Sequence, residues 1–156
     1  MKQILYIVLV TVAFLPACGQ SSSNMSVEQK HFYAQNKIAI HGYDPVSYFK
    51  DGPLKGNDQF TVEIKGIKYI FANDENKKEF VADPAKYLPA YGGWCAYAMG
   101  DTGEKVKIDP ETYKITNGRL FLFYNFRGYN TLEDWNKNEK ELTQRADNFW
   151  STLLKY

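Results

Sequence analysis

The chain has 156 residues, of which 44% are hydrophobic, 16% aromatic and 24% charged. That length and balance describe one folded domain and exclude extended disorder. Lys and Arg number 19 against 18 Asp and Glu, so no electrostatic excess draws the protein to nucleic acid. Two cysteines, Cys18 and Cys95, exclude a disulfide scaffold.

The chain opens with a short positive segment at Lys2 and an apolar run from Ile4 to Leu15. A membrane-spanning helix needs about 20 apolar residues, so this run has the length of a signal-peptide core. It ends at Leu15-Pro16-Ala17-Cys18, which resembles a bacterial lipobox. On that reading residues 1–17 are a lipoprotein signal peptide and Cys18 is the lipidated first residue of the mature protein. Residues 18–25 are then the lipidated cysteine and a flexible tether, because Gly19-Gln20-Ser21-Ser22-Ser23-Asn24 has nothing to pack. Residues 26–156 form a single domain. Cleavage removes Lys2 alone among charged residues, so 19 basic residues become 18, matching the 18 acidic ones. Acyl chains on Cys18 anchor the protein to a membrane, stably once two are present. Gly19 lacks the acidic residue that commonly marks inner-membrane retention, so in a diderm cell the expected place is the periplasmic side of the outer membrane.

Met25 to Lys37 carries a weak helical pattern, and Ile38-Ala39-Ile40 reads as a short strand. In Asp44-Pro45-Val46-Ser47-Tyr48-Phe49 the aspartate is placed to cap and the proline to start one helical turn, bringing Tyr48 and Phe49 inward. Phe60-Val62-Ile64 and Ile67-Tyr69-Phe71 alternate on either side of Lys65-Gly66, which predicts a hairpin. Asn73 caps the next helix, with Asp74 and Glu75 in its first turn and Phe80 and Val81 as anchors. Asp83-Pro84 starts a further turn that places Tyr87 and Leu88. A short helix is predicted from near Gly93 to Gly100, and Asp109-Pro110 is expected to cap another turn. Asn117-Gly118 joins a second hairpin, Tyr113 to Thr116 with Arg119 to Tyr124; the second run is apolar on both faces, as a central strand would be. Thr131 with Asp134 opens the last helix, whose stripe is Trp135, Leu142, Ala146, Phe149 and Leu153. The fold class expected is α+β: two hairpins making a small antiparallel sheet, short helices, and one long C-terminal helix packed on it.

Several of these segments together carry a resemblance. Gly42-Tyr43-Asp44-Pro45-Val46-Ser47-Tyr48-Phe49, Phe71-Ala72 before an acidic helix, Ala82-Asp83-Pro84 with Tyr87, and Tyr91-Gly92-Gly93-Trp94-Cys95-Ala96 resemble the YHS-domain proteins. The similarity runs from about Ile38 to Phe123 and is nearest to the exported subgroup known as YHS domain-containing (seleno)protein. The resemblance implies a module without a settled activity. Related modules occur in some heavy-metal transport ATPases and multicomponent monooxygenases, with metal binding suggested for them. Some members of the subgroup carry selenocysteine where this chain has Cys95, which implies redox or soft-metal chemistry there. Two departures matter: Trp94 stands where Tyr is more usual, and there is no second nearby cysteine, so a multi-cysteine metal knuckle is not implied.

Two readings of Cys95 stand side by side. It is a small buried residue on a packed helix, or it is a thiolate favoured by the helix N-terminus and able to react or ligate. In the second, Met99 lies one helical turn on and supplies a soft thioether, a pair that suits Cu(I). The third ligand would be His41 or His31, the only histidines. Tyr43, Tyr91 and Trp94 are candidates to line a pocket. No nucleophile elbow, phosphate-cradling glycine loop or His-Glu-x-x-His is present, and no catalytic residue is assigned. The expected function is a lipid-anchored envelope protein, a small metal- or redox-linked binding module centred on Cys95, with an envelope protein as a further partner. The alternatives are a thiol-dependent redox enzyme with Cys95 as nucleophile, and an interaction domain with no chemistry.

Overall fold

The computed structural model describes residues 30–156; the segments expected to be a signal peptide and tether, with Cys18 between them, lie outside the described residues. The protein is α+β. Of the predicted helix over Met25 to Lys37, only Lys30 and His31 are helical among the described residues, and strands β1 (Ala34–Gln35) and β2 (Ile38–Ala39) follow as a tiny hairpin. Asn36 and Lys37, both at positive φ, form the turn, a conformation the weak periodicity of the region did not signal.

Asp44 does more than cap. Its Oδ1 accepts the Val46 and Ser47 amides, and its Oδ2 accepts the Ala72 amide and Asn76 Nδ2. The carboxylate is fully buried. It holds the turn over Ser47–Phe49 that buries Tyr48.

Strands β3 (Asn57–Ile64) and β4 (Ile67–Phe71) pair antiparallel across Lys65-Gly66, as their alternation predicts. Helix α1 (Asp74–Ala82) follows β4 directly and is capped by Asn73, whose side chain accepts the Asn76 amide. It buries Phe80 but leaves Val81 56% exposed, so only one of the two expected anchors packs. A single turn, α2 (Pro84–Tyr87), buries Tyr87. The sheet order is β1-β2-β4-β3, with β2 parallel to β4 at Ile38 and Lys68.

The second hairpin, β5 (Asp109–Thr116) and β6 (Arg119–Phe123), stands in a separate two-stranded sheet. Asp109-Pro110 therefore begins a strand rather than a helical turn. Asp109 uses its carboxylate to accept the Glu111 amide and the Thr112 hydroxyl beside a register shift in the hairpin. The other edge of β6 takes isolated parallel bridges, Pro89 with Leu120 and Cys95 with Leu122. So β6 is central, and its side chains part between two cores. Leu120 and Leu122 join Phe71, Phe80 and Cys95; Phe121 and Phe123 join Trp135, Met99 and Ala146.

A last small hairpin, β7 (Asn125–Phe126) and β8 (Tyr129–Asn130), leads to α4 (Thr131–Lys137) and α5 (Glu139–Leu153). The expected single helix is broken at Asn138, and Asn130 rather than Thr131 is its cap. Trp135, Leu142 and Ala146 are buried, whereas Phe149 is 40% exposed. Among the described residues no helix is long and apolar enough to cross a membrane.

Candidate functional site

The site is built by a chain reversal. Tyr91, Gly92 and Gly93 all adopt positive φ, at 54°, 61° and 88°. A side chain on Gly92 would come within 2.8 Å of Trp150 and 3.1 Å of the Phe32 backbone, so glycine is required by packing as well as by φ. The reversal delivers Cys95 as the residue before helix α3 (Ala96–Asp101), not one or two residues into it. Its amide donates to Val106 O and its carbonyl accepts the Met99 amide. Gly100 then allows α3 to lie against α5, since a Cβ there would meet Leu142 O at 2.5 Å.

Cys95 is a free thiol with 0% exposure. Its Sγ lies 3.4 Å from Thr131 Oγ1 and accepts the Tyr124 amide, also at 3.4 Å. Thr131 Oγ1 in turn accepts that amide at 3.1 Å and donates to Tyr124 O at 3.0 Å. The thiol, the hydroxyl and the end of β6 thus form one bonded floor. Above it opens a cleft of about 290 Å³ walled by Tyr97, Tyr124, Tyr129 and Val106, with Asp101 and Glu104 on its rim. Cys95 lines this cleft yet shows no surface to water, so the sulfur lies just beneath the floor.

The expected ligand set does not assemble around the sulfur. Because Cys95 precedes the helix, helical spacing does not carry Met99 to its side: Cys95 packs in one core and Met99 in the other, with Trp135. His41 Nε2 pairs with Tyr33 OH at 3.0 Å, and burial, with Lys55 adding, lowers its pKa. His31 Nδ1 meets Lys105 Nζ at 2.9 Å; burial first, then Lys105 and Lys30, lowers its pKa. Among the described residues no three His, Cys, Asp or Glu side chains group as a metal site would require.

The tyrosines and tryptophan singled out from the sequence are also elsewhere. Tyr43 donates to Glu111 Oε1 at 2.7 Å. Tyr91 is buried and donates to Asp147, which Arg119 grips with both guanidinium nitrogens. Trp94 turns away from the cleft: its ring tilts over Tyr33 at 4.4 Å and its indole N–H donates to His31 O. The walls come instead from Tyr97, Tyr124 and Tyr129, none of which the sequence reading marked. The available signal was the Arg127-Gly128 turn, at φ 57° and 79°, which folds Tyr129 back toward Tyr124.

No family model, curated protein or solved structure matches the chain.

Proposed function

We propose that this protein is a small ligand-binding module of the bacterial envelope, YHS-like over its folded part, lipid-anchored through Cys18, and binding in the cleft floored by Cys95. The observation that carries the reading is the cleft itself: about 290 Å³ of recess over a buried thiol, with aromatic walls. Binding is favoured over turnover by the surroundings of the sulfur. Its hydrogen-bond partners are the Thr131 hydroxyl and the Tyr124 backbone amide, neither of them a general base. The only other cysteine, Cys18, is consumed by the anchor, so no internal disulfide cycle is available. With Met99 and His41 engaged elsewhere, an organic ligand fits the site better than a soft metal ion.

Native mass spectrometry of the protein drawn from its own envelope tests this. A bound small molecule should be found on the wild type and lost from Ala98→Trp, which fills the cleft from α3. A protein that carries the same adduct with the cleft filled would refute the assignment. The anchor is tested separately: Cys18→Ser should release the protein from the membrane fraction.

A further inference from the structure

We infer that the cleft over Cys95 recognises a small organic cation of the quaternary ammonium class, an inference that rests on the binding reading above. Three features of the recess converge on that chemistry. Its walls include three tyrosine side chains, from Tyr97, Tyr124 and Tyr129, and aromatic faces attract cations through their quadrupole. The Tyr124 and Tyr129 rings stand 6.4 Å apart at 51°, an open angle rather than a stack. The rim carries Asp101 and Glu104, both exposed, and no Lys, Arg or His lines the recess. Of the neighbouring cations Lys137 is paired with Asp134, while Lys107 is directed over the Phe126 ring and Arg145 onto the Asp101 carbonyl.

The floor distinguishes among cations. A primary ammonium brings three N–H groups that need acceptors once desolvated. On the floor the Thr131 hydroxyl and the Tyr124 amide and carbonyl already satisfy one another, with the sulfur in the same set, so the carboxylate acceptors lie only at the solvated rim, on Asp101 and Glu104. A trimethylammonium group has no N–H to satisfy, is apolar at its surface, and matches the Val106 and Ala98 methyl groups. The acidic rim opposes a phosphate next to the cation, so the source is a free trimethylammonium compound and not a zwitterionic lipid headgroup.

Calorimetric titration of the full-length protein in a neutral maltoside detergent tests this with three probes: choline, its uncharged isostere 3,3-dimethylbutan-1-ol, and phosphocholine. Choline should bind at least about 10-fold more tightly than the isostere, the size of effect expected of a partly desolvated cation–π site. Tyr129→Ala and Glu104→Gln should each weaken choline about 3- to 10-fold; Tyr129→Ala should weaken the isostere less, and Glu104→Gln should leave it unchanged. Both residues are exposed, and a thermal melt checks that each variant is folded; if Tyr129→Ala unfolds, Glu104→Gln decides. Isostere and choline binding equally, both lost in Ala98→Trp, would overturn the cation inference and keep the cleft as a binding site. Phosphocholine binding more tightly than choline would overturn it in favour of a headgroup. No probe binding in a manner sensitive to Ala98→Trp would overturn the inference and count against the binding reading too.

Discussion

Cys95 Sγ and Thr131 Oγ1 sit 3.4 Å apart although 36 residues separate them in the chain. This contact joins the segment before α3 to the first turn of α4 and closes the floor of the cleft. It also determines what the thiol is able to do. A sulfur without exposed surface meets a reagent only when the surrounding structure opens.

Cys95 should therefore resist modification in the native protein. With a bulky maleimide, labelling of folded protein is expected to be slow and to accelerate with added urea in step with unfolding. Rapid labelling without denaturant would show that the floor opens far more readily than its packing implies.

Thr131→Val removes the hydroxyl that both accepts from and donates to Tyr124. Leaving a buried amide and carbonyl without that partner costs about 1–3 kcal/mol, read as a lower urea midpoint at unchanged slope. Thr131→Ser should restore most of the loss; a Ser variant as unstable as Val would assign the effect to methyl packing.

Asp44→Ala leaves the Ala72 amide, the Val46 amide and Asn76 Nδ2 without their acceptor in a buried site. The expected destabilisation is about 3 kcal/mol or more, a large part of a domain's usual 5–15. A double-mutant cycle with Asn76→Ala should show coupling on the order of 1 kcal/mol or more. Strict additivity would mean that the short contact to Asn76, at 2.6 Å, contributes nothing.

The acid limb of stability should depend on Glu139. Burial raises its pKa, but hydrogen bonds from Lys114 and Thr116 outweigh that and hold it below the ordinary 4.5. A carboxylate with a lowered folded pKa stabilises the protein above its unfolded value and loses that contribution as the pH falls through the folded one. Unfolding free energies between pH 5 and 3 should thus fall less steeply for Glu139→Gln than for the wild type. Identical slopes would show that this ion pair, partly open to solvent, is fully screened.

Local chemistry made much of the fold legible from sequence. Lys65-Gly66 and Asn117-Gly118 both form the hairpins their turn residues specify, at positive φ throughout. Asn73 caps its helix as expected. What the sequence left open is long-range. Nothing local states that β2 lies parallel to β4, or that β6 bridges Pro89 and Cys95 on its free edge. The consequence for the site was large: with Cys95 extended as the residue before α3, Met99 four residues later lies in the opposite core. Likewise Thr131 with Asp134 reads as the opening of the last helix, while Asn130 takes the cap and leaves the Thr131 hydroxyl to the floor. The cleft draws on α3, the end of β6 and the β7–β8 hairpin, three elements brought together only by tertiary packing.

The claim that the recess over Cys95 is the binding site is tested most directly by amide chemical shifts of the isotope-labelled protein during titration with choline. The account predicts saturable shifts at Cys95, Tyr97, Tyr124, Tyr129 and Thr131, and their loss in Ala98→Trp. Saturable shifts confined to other parts of the surface, or shifts that persist unchanged in Ala98→Trp, would contradict it.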